Sequence, residues 1–67
     1  MTEPRLGAVL RRLRREQDLT QQEVAKRAGI SQPLVSFIET GSKGNPTIRV
    51  LKKLAKALGV PVTELLE

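Results

Sequence analysis

Residues 21–40 read QQEVAKRAGISQPLVSFIET, two short amphipathic segments joined at Gly29. Val24, Ala25 and Ala28 form one apolar stripe, Ile30 follows the glycine, and Val35 and Ile38 form a second stripe three residues apart. Thr20 and Glu23 have the spacing of a capping box, so a helix opens after Thr20. Gly29 follows the last apolar position of that helix, where the chain must turn and a residue without Cβ takes a left-handed conformation at little cost. Ser31 is a good N-cap for the next helix, and Pro33 falls in its first turn, where a missing N–H breaks no intrahelical bond. The small Ala25 lets two steeply crossed helices approach. This is the pattern of a helix-turn-helix.

Working outward, residues 3–17 read as a first helix, with Thr2 as cap, Pro4 in the first turn, Leu6, Val9, Leu10 and Leu13 on one face, and arginines around the rest. Residues 40–46, TGSKGNP, form the longest loop, with Gly41 placed to end the third helix and Pro46 discouraging helix before Thr47. Thr47 caps a fourth helix, residues 48–58, in which Ile48, Leu51, Leu54, Ala55 and Leu58 share a face; Gly59 ends it. Pro61 opens a short fifth helix, residues 61–66, carrying Val62, Leu65 and Leu66. The second and third helices cover residues 21–28 and 32–39. The fold class expected is all-α, one domain of five helices over residues 1–67.

Composition limits the chemistry. A chain of 67 residues buries only about 60% of its unfolded surface, so its core depends on efficient helix packing. Without cysteine or histidine, disulfides, the common soft metal ligands and the usual neutral-pH general base are all missing. No metal, cofactor or enzymatic activity is expected. No apolar run approaches the roughly 20 residues that span a bilayer, and the N-terminus lacks the apolar segment of a signal peptide, so the expected location is cytoplasmic. Twelve Lys and Arg against seven Asp and Glu give a net charge of +5, which favours an anionic partner without naming it.

The blocks LRRLRREQDLTQQEVAKRAGISQPLVSFIETG and NPTIRVLKKLAKALGVPVTELL, in this order and spacing, resemble the lambda repressor-like, Cro-type helix-turn-helix proteins, the XRE family. The resemblance covers almost the whole chain. It implies a compact five-helix bundle that binds double-stranded DNA as a homodimer on an inverted repeat, with the third helix in the major groove. By the same resemblance Gln21 contacts a phosphate and Gln32 reads a base. Both roles suit the residues, because helix N-termini present free N–H groups and a glutamine amide can bond two edges of adenine. Ser31 stands with Gln21 at a helix start as a further phosphate candidate, and Lys43, Asn45 and Thr47 match the family's second phosphate-clamping region.

Pro33, Ser36, Phe37 and Thr40 complete the candidate reading surface with Gln32. Phe37, the only aromatic residue, falls out of phase with Val35 and Ile38. It either folds back over a neighbouring helix, packs against thymine methyl groups, or marks a protein-binding surface. No Arg or Lys lies between Ser31 and Glu39, so the bidentate reading of guanine is absent there and a bias to A and T is expected. Glu39 ends the third helix, where the macrodipole disfavours an anion, and the family pairs this position with the residue matching Arg14. Arg14 is expected to bridge Glu39 and a phosphate. Arg11, Arg15, Lys26, Arg27, Lys52, Lys53 and Lys56 read as solvated or steering charges. Val60, Val62, Leu65 and Leu66 are the candidates for a dimer contact, being apolar and terminal.

Two functions compete. One is a sequence-specific DNA-binding transcriptional regulator, a repressor in its commonest form, with no small-molecule effector expected in so short a chain. The other is a protein-interaction module of the same fold, antitoxin-like or coactivator-like, with Pro33, Leu34 and Phe37 as its patch. Membrane-surface binding is not expected, since the apolar face of the fourth helix reads as core and lacks aromatic anchors.

Overall fold

The computed structural model describes residues 5–41 and 46–66. Among them are five helices and no strand: α1 (Arg5–Glu16), α2 (Gln21–Ala28), α3 (Gln32–Thr40), α4 (Ile48–Leu58) and α5 (Thr63–Leu66). The expectations placed on Thr2, Pro4, Lys43 and Asn45 fall outside the described residues.

The helix boundaries follow local chemistry. At the start of α2 the Glu23 N–H donates to Thr20 Oγ1 at 3.1 Å and the Thr20 N–H donates to Glu23 Oε1 at 2.8 Å, which closes the capping box. The Thr20 backbone N–H above all, with the nearby Thr20 hydroxyl, holds the Glu23 carboxyl below its ordinary pKa. Ser31 Oγ accepts the Leu34 N–H and Thr47 Oγ1 accepts the Val50 N–H, each at 3.2 Å. Gly29 turns the chain at φ 72°, and the Ile30 N–H reaches back to Ala25 O at 3.0 Å, so the end of α2 is satisfied within the hinge.

α1 ends differently. Asp18 takes φ 56° at the position glycine fills elsewhere, while the Leu19 N–H returns to Arg14 O at 3.0 Å. The fifth helix is shorter than the sequence predicts: α5 begins at Thr63, and Pro61 instead offers its carbonyl to the Glu64 N–H at 2.9 Å in the turn before it.

One core unites the helices. Leu10 and Leu13 from α1, Leu19, Val24, Ala25 and Ala28 around α2, Val35 and Ile38 from α3, Leu51, Leu54, Ala55 and Leu58 from α4, and Leu65 from α5 are buried together. α3 packs on both α1 and α2, α2 also packs on α4, and α5 closes against α1 and α4. Gln17 ties the end of α1 to the end of α4, its Nε2 donating to Leu58 O at 2.7 Å.

Two residues depart from their expected places. Ile48 is 56% exposed although it shares a stripe with Leu51 and Leu58. As the first residue of α4 its Cβ leans toward the helix N-terminus, away from the turns that carry the buried Leu51, Leu54 and Leu58. Leu65 is only 2% exposed and belongs to the chain's own core, which removes it from the dimer candidates. The turn before α5 swings it inward between α1 and α4. Of the other candidates, Val60 and Val62 are half-buried against the core and Leu66 is 56% exposed.

Candidate nucleic-acid interface

α3 divides its residues between two environments. Val35, Ile38 and Glu39 are buried and Leu34 is half-buried, while Gln32, Pro33, Phe37 and Thr40 are exposed and Ser36 lies between. Gln32, Ser36 and Thr40 are spaced at four-residue intervals, and Pro33 and Phe37 follow the same interval one residue on, so all five share the outward face of one helix. Phe37 is 39% exposed, which places part of its ring at this surface rather than wholly in the core. The Thr40 hydroxyl donates to Phe37 O at 3.2 Å, bonding within its own helix.

Glu39 faces the other way and gathers three helices. Arg14 Nε donates to Glu39 Oε2 at 2.6 Å and Arg14 Nη2 to Oε1 at 3.1 Å, a bidentate clasp from α1. Gln21 Nε2, from the first turn of α2, donates to the same Oε1 at 3.0 Å. Arg11 Nε lies 3.6 Å from it. Arg14 Nη1 also donates to Leu19 O at 2.8 Å, which fixes the guanidinium plane against the turn between α1 and α2.

Burial alone would raise the Glu39 carboxyl, but the hydrogen bonds from Arg14 and Gln21 and the charges of Arg14 and Arg11 together outweigh it and hold the pKa below its ordinary value. The hydrogen bond to Glu39 in turn raises Arg14. Both groups are therefore charged at neutral pH, and two arginines around one carboxylate leave a local excess of one positive charge. Every described buried side-chain nitrogen and oxygen has a partner.

The sequence-predicted residues thus fall into groups. Gln32, Pro33, Ser36, Phe37 and Thr40 come together on α3. Arg14 and Glu39 meet directly. Gln21 spends one of its two N–H donors inside the cluster, and Ser31 and Thr47 spend their hydroxyls on helix caps.

Three contributors were missing from the sequence reading. Arg11 reads from the sequence as a solvated charge and is exposed, yet its Nε also comes within 3.6 Å of Glu39 Oε1, one turn before Arg14 on α1. Asp18 gave no local sign of a left-handed backbone. Gly7 is buried in the first turns of α1, where an added Cβ would lie 2.5 Å from Glu39 O and 2.6 Å from Ile38 O. A glycine inside an otherwise amphipathic helix, costing about 1 kcal/mol relative to alanine, was the available signal for that contact. Among the described residues no cluster of three or more His, Cys, Asp or Glu side chains is placed to hold a metal ion, and no helix is long and apolar enough to cross a membrane.

The helix-turn-helix family model matches residues 10–65 of this chain. The chain belongs to the XRE-type helix-turn-helix family. Among family members it is similar to the HTH-type transcriptional regulator y4dJ of Sinorhizobium fredii, with 50% identity over 60 residues covering 90% of this chain and 77% of that protein. It is 43% identical over 60 residues to RghRB of Bacillus subtilis, an HTH-type transcriptional regulator of which it spans only 43%. In structure it is similar to SinR, described as a master regulator for biofilm formation and solved in complex with DNA: the TM-score is 0.88 at 32% identity, covering 92% of this chain and 98% of that one.

Proposed function

We propose that this chain is a sequence-specific double-stranded DNA-binding transcriptional regulator, a repressor that occupies its operator with α3 in the major groove. The observation that carries this reading is the division of α3: a polar and apolar outward face on a helix whose inward end is locked to α1 and α2 through Glu39. Gln32 reads a base, with Pro33, Ser36, Phe37 and Thr40 beside it, and Phe37 meets thymine methyl groups. Arg14, held against Glu39 and charged at neutral pH, bridges to a phosphate; Gln21, Ser31, Lys43, Asn45 and Thr47 make the remaining backbone contacts.

The working unit is a homodimer on an inverted repeat with half-sites about 34 Å apart, one helical turn. Leu66, with the half-buried Val60 and Val62, is the surface offered to the second copy. Residues 1–67 act as one DNA-binding domain.

The exposed part of Phe37 next to Pro33 also supports a second reading, an interaction module that docks a protein on the same face. Substitution separates the two. On the first reading Gln32→Ala weakens discrimination at one base pair by about 1–3 kcal/mol and leaves binding to random duplex unchanged. Equal affinity of the wild type for every duplex, together with a flat salt response, favours the second.

A further inference from the structure

Gly7, Arg11 and Arg14 follow one another at intervals of four and three residues, a single stripe on α1 beside its core stripe of Leu6, Leu10 and Leu13. All three address one residue of α3. Arg11 and Arg14 take the Glu39 carboxylate, and Gly7 takes the Glu39 backbone. At Gly7 no side chain intervenes: a Cβ there would stand 2.5 Å from Glu39 O, 2.6 Å from Ile38 O and 2.9 Å from the Glu39 carbonyl carbon.

The two kinds of contact set different coordinates. A guanidinium on a carboxylate can follow small movements by turning about its side-chain torsions. Backbone against backbone cannot, because neither partner has a torsion to spend without unwinding its own helix.

We propose that Gly7 is a positioning residue for DNA reading: its missing side chain fixes how closely the C-terminal end of α3 lies on α1, and so the tilt at which α3 presents Gln32, Ser36, Phe37 and Thr40. This rests on the DNA-reading function proposed above. An added methyl group falls about 1 Å short of ordinary contact distance, so the end of α3 is displaced by that order. α3 is anchored near its middle by the fully buried Val35. Gln32 lies about 10 Å from Glu39 along the axis, so the tilt carries to the opposite end with reversed sign. Shifts of several tenths of an ångström break bidentate base contacts, whose geometry is narrow, and leave long-range attraction to phosphates nearly intact.

The test is Gly7→Ala at 10 °C, where folding is checked by circular dichroism, with affinity measured on a duplex selected by the wild type and on a random duplex. Leu58→Val serves as control, since it loosens the core in α4, a helix that packs chiefly on α2 and α5. Gly7→Ala is expected to lose at least tenfold on the selected duplex and less than twofold on the random one, while Leu58→Val loses neither. If Gly7→Ala does not fold, it is measured in the Asp18→Gly background, which relieves the turn after α1.

Equal losses on both duplexes, no loss on either, or failure to fold in that background as well would each overturn the proposal and leave Gly7 a packing residue only. If the wild type itself fails to discriminate between the duplexes, the DNA-reading function falls first, and the proposal with it.

Discussion

Replacing Glu39 by glutamine keeps the volume of a buried side chain and changes only what it can accept. Arg14 uses both carboxylate oxygens, Nε on Oε2 and Nη2 on Oε1, and Gln21 shares Oε1. An amide has one oxygen, so in either orientation its NH2 group confronts an Arg14 donor. The variant therefore loses a charge-assisted bond, worth about 1.5–3 kcal/mol, and leaves a guanidinium that is only 13% exposed facing a donor. A net loss of about 2–3 kcal/mol in a domain of this size lowers Tm by roughly 8–24 °C.

The assay is thermal unfolding followed by circular dichroism at pH 7, with Arg12→Ala in parallel. The Arg12–Glu16 pair has a comparable 3.3 Å separation but is more than half exposed on both sides, so its removal costs at most about 0.5 kcal/mol. If Glu39→Gln moved Tm no more than Arg12→Ala does, the reasoning that burial makes the clasp strong would be refuted.

Other outcomes follow from the same geometry. Because the Glu39 pKa is depressed on folding, its contribution is complete above the unfolded value near 4.3 and is lost as pH falls through the lower folded value; Tm of the wild type therefore drops more steeply below about pH 5 than that of Glu39→Gln, and parallel acid limbs would contradict this. Asp18→Gly removes a left-handed strain of about 1–2 kcal/mol against a flexibility cost of about half that, and raises Tm by a few degrees. Gly29→Ala meets nothing within 4 Å, so its cost is that of the φ 72° backbone alone, about 1 kcal/mol or more, read as a Tm fall of at least 4 °C. Phe37→Ala loses about fivefold in affinity for a selected duplex if the ring meets thymine methyl groups, and nothing if it serves a protein partner.

Legibility in the sequence tracked how local the cause was. Thr20 with Glu23, Ser31, Thr47 and the glycines at 29, 41 and 59 act within four residues of themselves, so the turns and the bounds of α2 and α4 could be read directly from them. The apolar stripes located the core for the same reason. Ile48 and Leu65 show where that logic ends: periodicity states which face a residue occupies, and only the positions of other helices decide whether that face is covered. Ile48 is left uncovered at the start of α4, while Leu65 is drawn in by a turn whose angle no pattern announces.

At the interface, Gln32, Ser36 and Thr40 on one face required only helical spacing. The Arg14–Glu39 partnership came from family likeness, because a separation of 25 residues carries no local signal. Gly7 and Arg11 depend on the crossing of α1 over the end of α3, which becomes visible once both helices are placed.

The most direct test of the central claim is selection of bound duplexes from a random library, followed by titration of the winner at two salt concentrations. Sequence reading by α3 predicts a reproducible inverted repeat, rich in A and T at the contacted positions, whose affinity falls steeply with salt, by about 0.9 logarithmic units per phosphate neutralised for each tenfold rise in salt. Contacted positions dominated by G·C would contradict the assignment of the reading face, and failure to enrich any sequence would contradict DNA recognition itself.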